Sequence, residues 1–143
     1  MSAPLVLLVE DNETNQMLAI AVLERDGYRV EVAGSADEAR QRITGATPDL
    51  ILMDIQLPGE DGLAFTRELK QDPATSSIPV VAMTAHAMHG DADLAIEAGC
   101  SGYIAKPIDT RTLAEQVRKH LATNPRELRG KAASSRGPLI VAE

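Results

Sequence analysis

Five short apolar runs punctuate the chain: LVLLV at 5 to 9, YRVEVA at 28 to 33, LILM at 50 to 53, PVVAM at 79 to 83 and GYI at 102 to 104. Segments of helical length separate them. Three of the runs are almost continuously apolar, which suits strands covered on both faces of a parallel sheet, whereas YRVEVA alternates as an edge strand with one wetter face does. Five alternations of strand and helix predict an α/β fold, a three-layer sandwich with right-handed crossovers.

The helices carry their own signals. Ser35 followed by Glu38 reads as a capping box, with Ala39 and Ile43 on the face below it. Asp109 is placed to cap a last helix whose Leu113, Val117 and Leu121 recur every four residues, leaving Arg111, Glu115, Arg118 and Lys119 for solvent. Over residues 13 to 26, MLAIAVL is apolar all round, so length and the polar DNETN start indicate a helix better than periodicity does. The pattern stops near Thr123. A chain of 143 residues accommodates one domain, here 1–122, and TNPRELRGKAASSRGPLIVAE (123–143) mixes Pro, Gly, Ser and Arg as a flexible tail does.

Charge and cysteine content narrow the function. With 21 acidic against 14 basic residues the net charge is −7, which opposes direct binding to nucleic acid. Cys100 is the one cysteine, expected to be a small buried residue, and MSAPLVLLVED lacks the basic region of a secretion signal; both point to a reduced, cytoplasmic setting. No stretch approaches the ~20 apolar residues that a bilayer crossing needs, so direct membrane insertion is not expected.

LILMD then poses a question, because a carboxylate at the rim of an apolar strand is costly without compensation. In an open parallel sheet the functional groups collect at the carboxyl ends of the strands. Those ends carry Glu10 and Asp11, Asp54, Thr84 and Lys106. Singly, each has a structural explanation: an acidic pair starts a helix, a Thr caps one, a Lys is a solvated charge. Four strand ends that all deliver such groups favour a joint role. Three converging carboxylates repel unless a cation sits among them, and hard oxygen donors select Mg²⁺ or a relative. Mg²⁺ shares its remaining positions readily with phosphate. Lys106 and Thr84 then suit the oxygens of a transferring phosphoryl group that the Asp54 carboxylate attacks in line.

The segments LLVEDN, LILMDIQLPGEDG, VVAMTAHA and GYIAKPID resemble the receiver domain of bacterial two-component response regulators over residues 4 to about 122. That resemblance implies a doubly wound, flavodoxin-like sheet of five parallel strands in the order 2-1-3-4-5. It implies that Asp54 is the phosphoacceptor, Asp11 and Asp54 direct ligands of Mg²⁺ (or Mn²⁺ as a substitute), Glu10 a ligand acting mostly through water, and Gln56 a ligand through its backbone carbonyl. Thr84 and Tyr103 correspond to the switch pair and Lys106 to the phosphate-binding cation, with a cis bond to Pro107. Gln56 and His86 occupy the places that tune autodephosphorylation. The implied partners are a sensor histidine kinase or a histidine phosphotransfer protein, and a downstream protein target. AHAMHG and the polar face of the last helix are candidate contacts. The 21 residues after the domain are too few for a helix-turn-helix or an enzymatic effector domain, so the chain resembles stand-alone receivers of chemotaxis and cell-cycle relays, as well as hybrid-kinase receivers.

Three other readings compete. A phosphatase of the haloacid-dehalogenase type uses a similar Asp but needs a second Asp two positions on, where this chain has Gln56 and thus no general acid. Flavodoxin-like cofactor binding lacks GxxxxGK[ST] and GxGxxG loops and has few aromatics to stack on a flavin. A receiver fold that no longer accepts phosphate finds no support, since every expected group is present. The chain is therefore expected to assist only its own phosphorylation and autodephosphorylation.

Overall fold

A computed structural model describes residues 3–85 and 90–122. His86, most of the AHAMHG segment and residues 123–143 lie outside the described residues. The elements are β1 (Leu5–Val9), α1 (Glu13–Arg25), β2 (Arg29–Ala33), α2 (Ala36–Gly45), β3 (Leu50–Asp54), β4 (Gln56–Leu57), β5 (Glu60–Asp61), α3 (Gly62–Gln71), β6 (Val80–Thr84), α4 (Asp91–Ala98), β7 (Gly102–Ala105) and α5 (Leu113–Ala122).

Five strands form one sheet in the order β2-β1-β3-β6-β7, with every pairing parallel. Counted within that sheet alone, this is 2-1-3-4-5, and the alternating run is an edge strand as expected. Side chains leave a strand on alternate faces, so two cores result. Leu7, Ile51, Met53, Val80 and Ala82 pack with residues of α2, α3 and α4 on one face. Val6, Leu8, Leu50, Leu52, Val81 and Met83 pack with α1 and α5 on the other. Central strands covered on both faces need apolar residues at every position, which explains the continuous runs.

Register places the strand ends side by side. Val9 lies opposite Met53, Asp54 opposite Met83 and Thr84 opposite Ala105. Glu10 follows β1 and its N–H donates to the Ala33 carbonyl, which extends the ladder past the last strand residue.

Several local expectations are refined. Ser35 Oγ accepts from the Glu38 N–H at 3.2 Å, but the Glu38 carboxylate reaches back to the N–H of Gly34 rather than of Ser35, so the box closes one residue early. Asn12 caps α1 by accepting from the Asn15 N–H. Ala19, Val22 and Leu23 form the buried stripe of α1, whereas Met17 and Leu18 are exposed, so apolar residues stand on both faces of this helix. Asp109 opens a turn ahead of α5: Oδ1 accepts from the Arg111 N–H, and its carbonyl accepts from the N–H groups of Thr112 and Leu113. Cys100 is buried as expected.

The β4–β5 hairpin after Asp54 has no counterpart in the sequence reading. Pro58 and Gly59 form its turn, with Gly59 at φ 78°, a conformation that favours glycine. Asp61 then caps α3 by accepting from the Leu63 N–H at 2.9 Å. Among the described residues no helix is long and apolar enough to cross a membrane.

Candidate metal and phosphoryl site

The carboxyl ends of β1 and β3 bring Glu10, Asp11 and Asp54 together, one oxygen from each lying within 4.8 Å of the others. Glu10 and Asp54 are buried and Asp11 is exposed, so the cluster opens to solvent on one side. The start of α1 holds it in place. Glu10 Oε2 accepts from the Asn12 N–H at 3.1 Å and Oε1 from Asn15 Nδ2 at 3.3 Å, while Gln16 Nε2 donates to the Glu10 carbonyl at 2.6 Å. The side-chain amides of Asn15 and Gln16 reach Glu10 from the first turn of α1, while Asn12 contributes its backbone N–H.

Lys106 enters from the end of β7. Its Nζ lies 2.9 Å from Asp54 Oδ2 and 3.0 Å from Glu10 Oε1. Its peptide bond to Pro107 is cis. Burial acts to lower the Lys106 pKa, but the hydrogen bonds to Asp54 and Glu10 outweigh it, so the group stands above its usual value and remains an ammonium. Burial raises the Glu10 carboxyl above the usual carboxylate range, aided by the nearby Asp54 charge, despite the Lys106 and Asn12 hydrogen bonds that oppose it.

Hard oxygen donors, tight spacing and an open side fit a divalent ion. Three carboxylates against one ammonium also leave two negative charges, which one such ion would balance.

Both oxygens of Asp54 are engaged. Oδ1 accepts from the Gln56 N–H at 2.9 Å and Oδ2 from Lys106. The Gln56 side chain is exposed beside the site. Arg40 ties down the hairpin that carries Gln56: it bonds Glu60 at 2.7 Å, takes Glu68 with two nitrogens, reaches Asp37, and lies 4.8 Å from the centre of the Phe65 ring.

Thr84, at the end of β6, is buried, and its hydroxyl donates to Asp91 Oδ2 at 2.9 Å. Tyr103, in β7, lies opposite Ala82 and is 46% exposed. Thus the structure gathers Glu10, Asp11, Asp54 and Lys106 tightly, sets Gln56 at their edge, and places Thr84 and Tyr103 on the neighbouring strands.

Sequence reasoning missed Asn15, Gln16, Arg40 and Asp91. The adjacent amides Asn15 and Gln16 in the first turn after a strand end are a usable signal. For Arg40, whose partners come from two distant segments, there was none.

A family model for the response regulator receiver domain matches residues 6–118. The polar-differentiation response regulator DivK of Brucella ovis is 43% identical over 116 residues, covering 81% of this chain and 94% of that protein. Among solved structures, a putative response regulator from Chloroflexus aurantiacus matches at a TM-score of 0.81 and 33% identity, covering 85% of this chain and 99% of that one. The receiver domain of the sensor histidine kinase PA1611 from Pseudomonas aeruginosa, with a magnesium ion coordinated in its active-site cleft, matches at a TM-score of 0.78 and 34% identity, covering 85% of this chain and all of that one.

Proposed function

The chain belongs to the response regulator receiver domain family, and on that premise we propose that Asp54 accepts a phosphoryl group from a phosphohistidine and thereby switches a partner-binding surface. The observation that carries this reading is the placement of Lys106 against both Asp54 and Glu10 inside the carboxylate cluster.

An oxygen of the Asp54 carboxylate attacks phosphorus in line; the P–O bond forms as the P–N bond breaks, and the imidazole leaves with the bonding pair. Lys106 turns from carboxylate to phosphoryl oxygens and offsets their charge. The Gln56 N–H steadies Asp54 so that the attacking oxygen keeps its orientation. A bound Mg²⁺ or Mn²⁺ ion, held by Glu10, Asp11, Asp54 and the Gln56 carbonyl, would supply charge neutralisation at the phosphoryl oxygens.

Thr84 and Tyr103 serve as the switch: the hydroxyl of Thr84 moves toward the phosphoryl group and Tyr103 turns inward into the space it leaves. Such coupling works only insofar as the phosphoryl group interacts differently with the two arrangements. A sensor histidine kinase or a histidine phosphotransfer protein supplies the phosphoryl group in the cytoplasm, and a downstream protein target reads the surface. Beyond its own phosphorylation and autodephosphorylation the chain turns over no substrate, in keeping with Gln56 at the position where a general acid would stand.

The test is intact mass after incubation with acetyl phosphate and Mg²⁺. Wild type should gain one phosphate and Asp54→Asn none. Equal labelling of both would refute the assignment.

A further inference from the structure

The Thr84–Asp91 contact joins the end of β6 to the first residue of α4. A hydroxyl has one hydrogen to donate. In this structure that hydrogen goes to Asp91 Oδ2 at 2.9 Å, and because the acceptor is a carboxylate the bond is of the stronger, charge-assisted kind. The N-cap of α4 is Gly90, at φ 95°, which provides no side-chain cap.

We propose that Asp91 is a positioning residue for the switch, its carboxylate competing with a phosphoryl group on Asp54 for the single hydroxyl hydrogen of Thr84. The two contacts exclude each other, so occupation of Asp54 releases the tie between β6 and the first turn of α4. The contact thus converts a change at Asp54 into a change at the first turn of α4, whose N-cap residue Gly90 makes no side-chain cap. This inference rests on Asp54 being the phosphoacceptor, and it adds the residue against which the phosphoryl group must compete.

Removing the competitor should strengthen the binding of a phosphoryl analogue. The experiment titrates the full chain with beryllofluoride at saturating Mg²⁺, following backbone amides by two-dimensional NMR, for wild type, Asp91→Asn, Asp91→Ala, and each of these in a Thr84→Ala background. A charge-assisted hydrogen bond predicts about tenfold tighter binding for Asp91→Ala. Asp91→Asn, which lacks the charge but retains an acceptor oxygen, should fall between it and wild type. In the Thr84→Ala background the Asp91 substitutions should have no effect, because the hydrogen competed for is gone.

Several outcomes overturn the proposal. One is normal wild-type binding with no gain in Asp91→Ala. A second is the same gain with and without Thr84, which would make Asp91 merely a nearby negative charge. A third is equal gains for Asn and Ala, which would point to charge rather than hydrogen bonding. Absence of beryllofluoride binding by wild type itself would instead overturn the phosphoacceptor reading, and this inference with it.

Discussion

A β-carbon on Gly62 would overlap the backbone carbonyl oxygen of Asp54 and stand 3.0 Å from the Cα of Ile55. The first residue of α3 therefore lies directly against the chain that bears the proposed phosphoacceptor. Its own N–H donates to the Ile55 carbonyl at 2.9 Å, closing the hairpin between them. The obstacle is backbone rather than a flexible side chain, so no rotamer change relieves it. Gly62→Ala should lower stability by about 3 kcal/mol, at the upper end for overpacking, and reduce phosphate uptake. Urea unfolding checks the first and acetyl phosphate labelling the second.

Glu10 sets stability against function. Its carboxyl is pushed above the usual range chiefly by burial, so between the ordinary carboxylate pKa and that raised value the folded chain binds more protons than the unfolded one. Stability then falls as pH rises through this window. Wild type should accordingly gain stability relative to Glu10→Gln as pH is lowered through it. At neutral pH without metal, Glu10→Gln should be the more stable by on the order of 1 kcal/mol. Mg²⁺ should reverse the order, since a ligand at a hundred times its Kd stabilises by about 2.7 kcal/mol and the variant binds it less well. Thermal unfolding of both proteins at a series of pH values, with Mg²⁺ or with EDTA, reads all three effects.

Arg40 reaches three acidic side chains and one aromatic ring while its own side chain is 34% exposed. Solvent screening discounts such pairs, so Arg40→Ala should cost about 1 kcal/mol at low salt and less at high salt. The loss should centre on the β4–β5 hairpin, where Glu60 is anchored. Faster amide hydrogen exchange at residues 56 to 61 than in the sheet would show it.

Gln56 is exposed and its N–H donates to Asp54 Oδ1, and on the proposed assignment its amide would orient the water that attacks a phosphoryl group on Asp54. Gln56→Ala should alter the phosphoaspartate lifetime several-fold, roughly a kcal/mol of barrier, without abolishing phosphorylation. His86→Ala is expected to do likewise, though His86 lies outside the described residues. Phosphate release from purified phosphoprotein in Mg²⁺ measures both, and decay curves that match wild type would remove these side chains from the timing.

The fold and the centre of the site were legible for one reason. In a parallel sheet covered on both faces, each central strand is a continuous apolar run, and the residue that follows it stands at the same edge as its neighbours. Glu10, Asp54, Thr84 and Lys106 could thus be brought together from sequence without a single tertiary contact. The hairpin after Asp54 escaped because strands of two residues have no periodicity. The Glu38 bond to Gly34 escaped because a capping motif does not specify which N–H its acid will reach. Asp91 escaped for a different reason: it is seven residues from Thr84, and only the placement of α4 brings their side chains together.

The central claim is that Asp54 carries the phosphoryl group with the help of a metal, and chemical trapping tests it at the level of the residue. Borohydride reduces an aspartyl phosphate to the alcohol, which marks the position permanently. After reaction with acetyl phosphate in Mg²⁺, followed by borohydride and peptide mass analysis, the modification should fall on the peptide containing residue 54. It should vanish in EDTA and nearly vanish in Asp11→Ala. Modification at a different residue, or equal modification of position 54 in EDTA, would contradict the account.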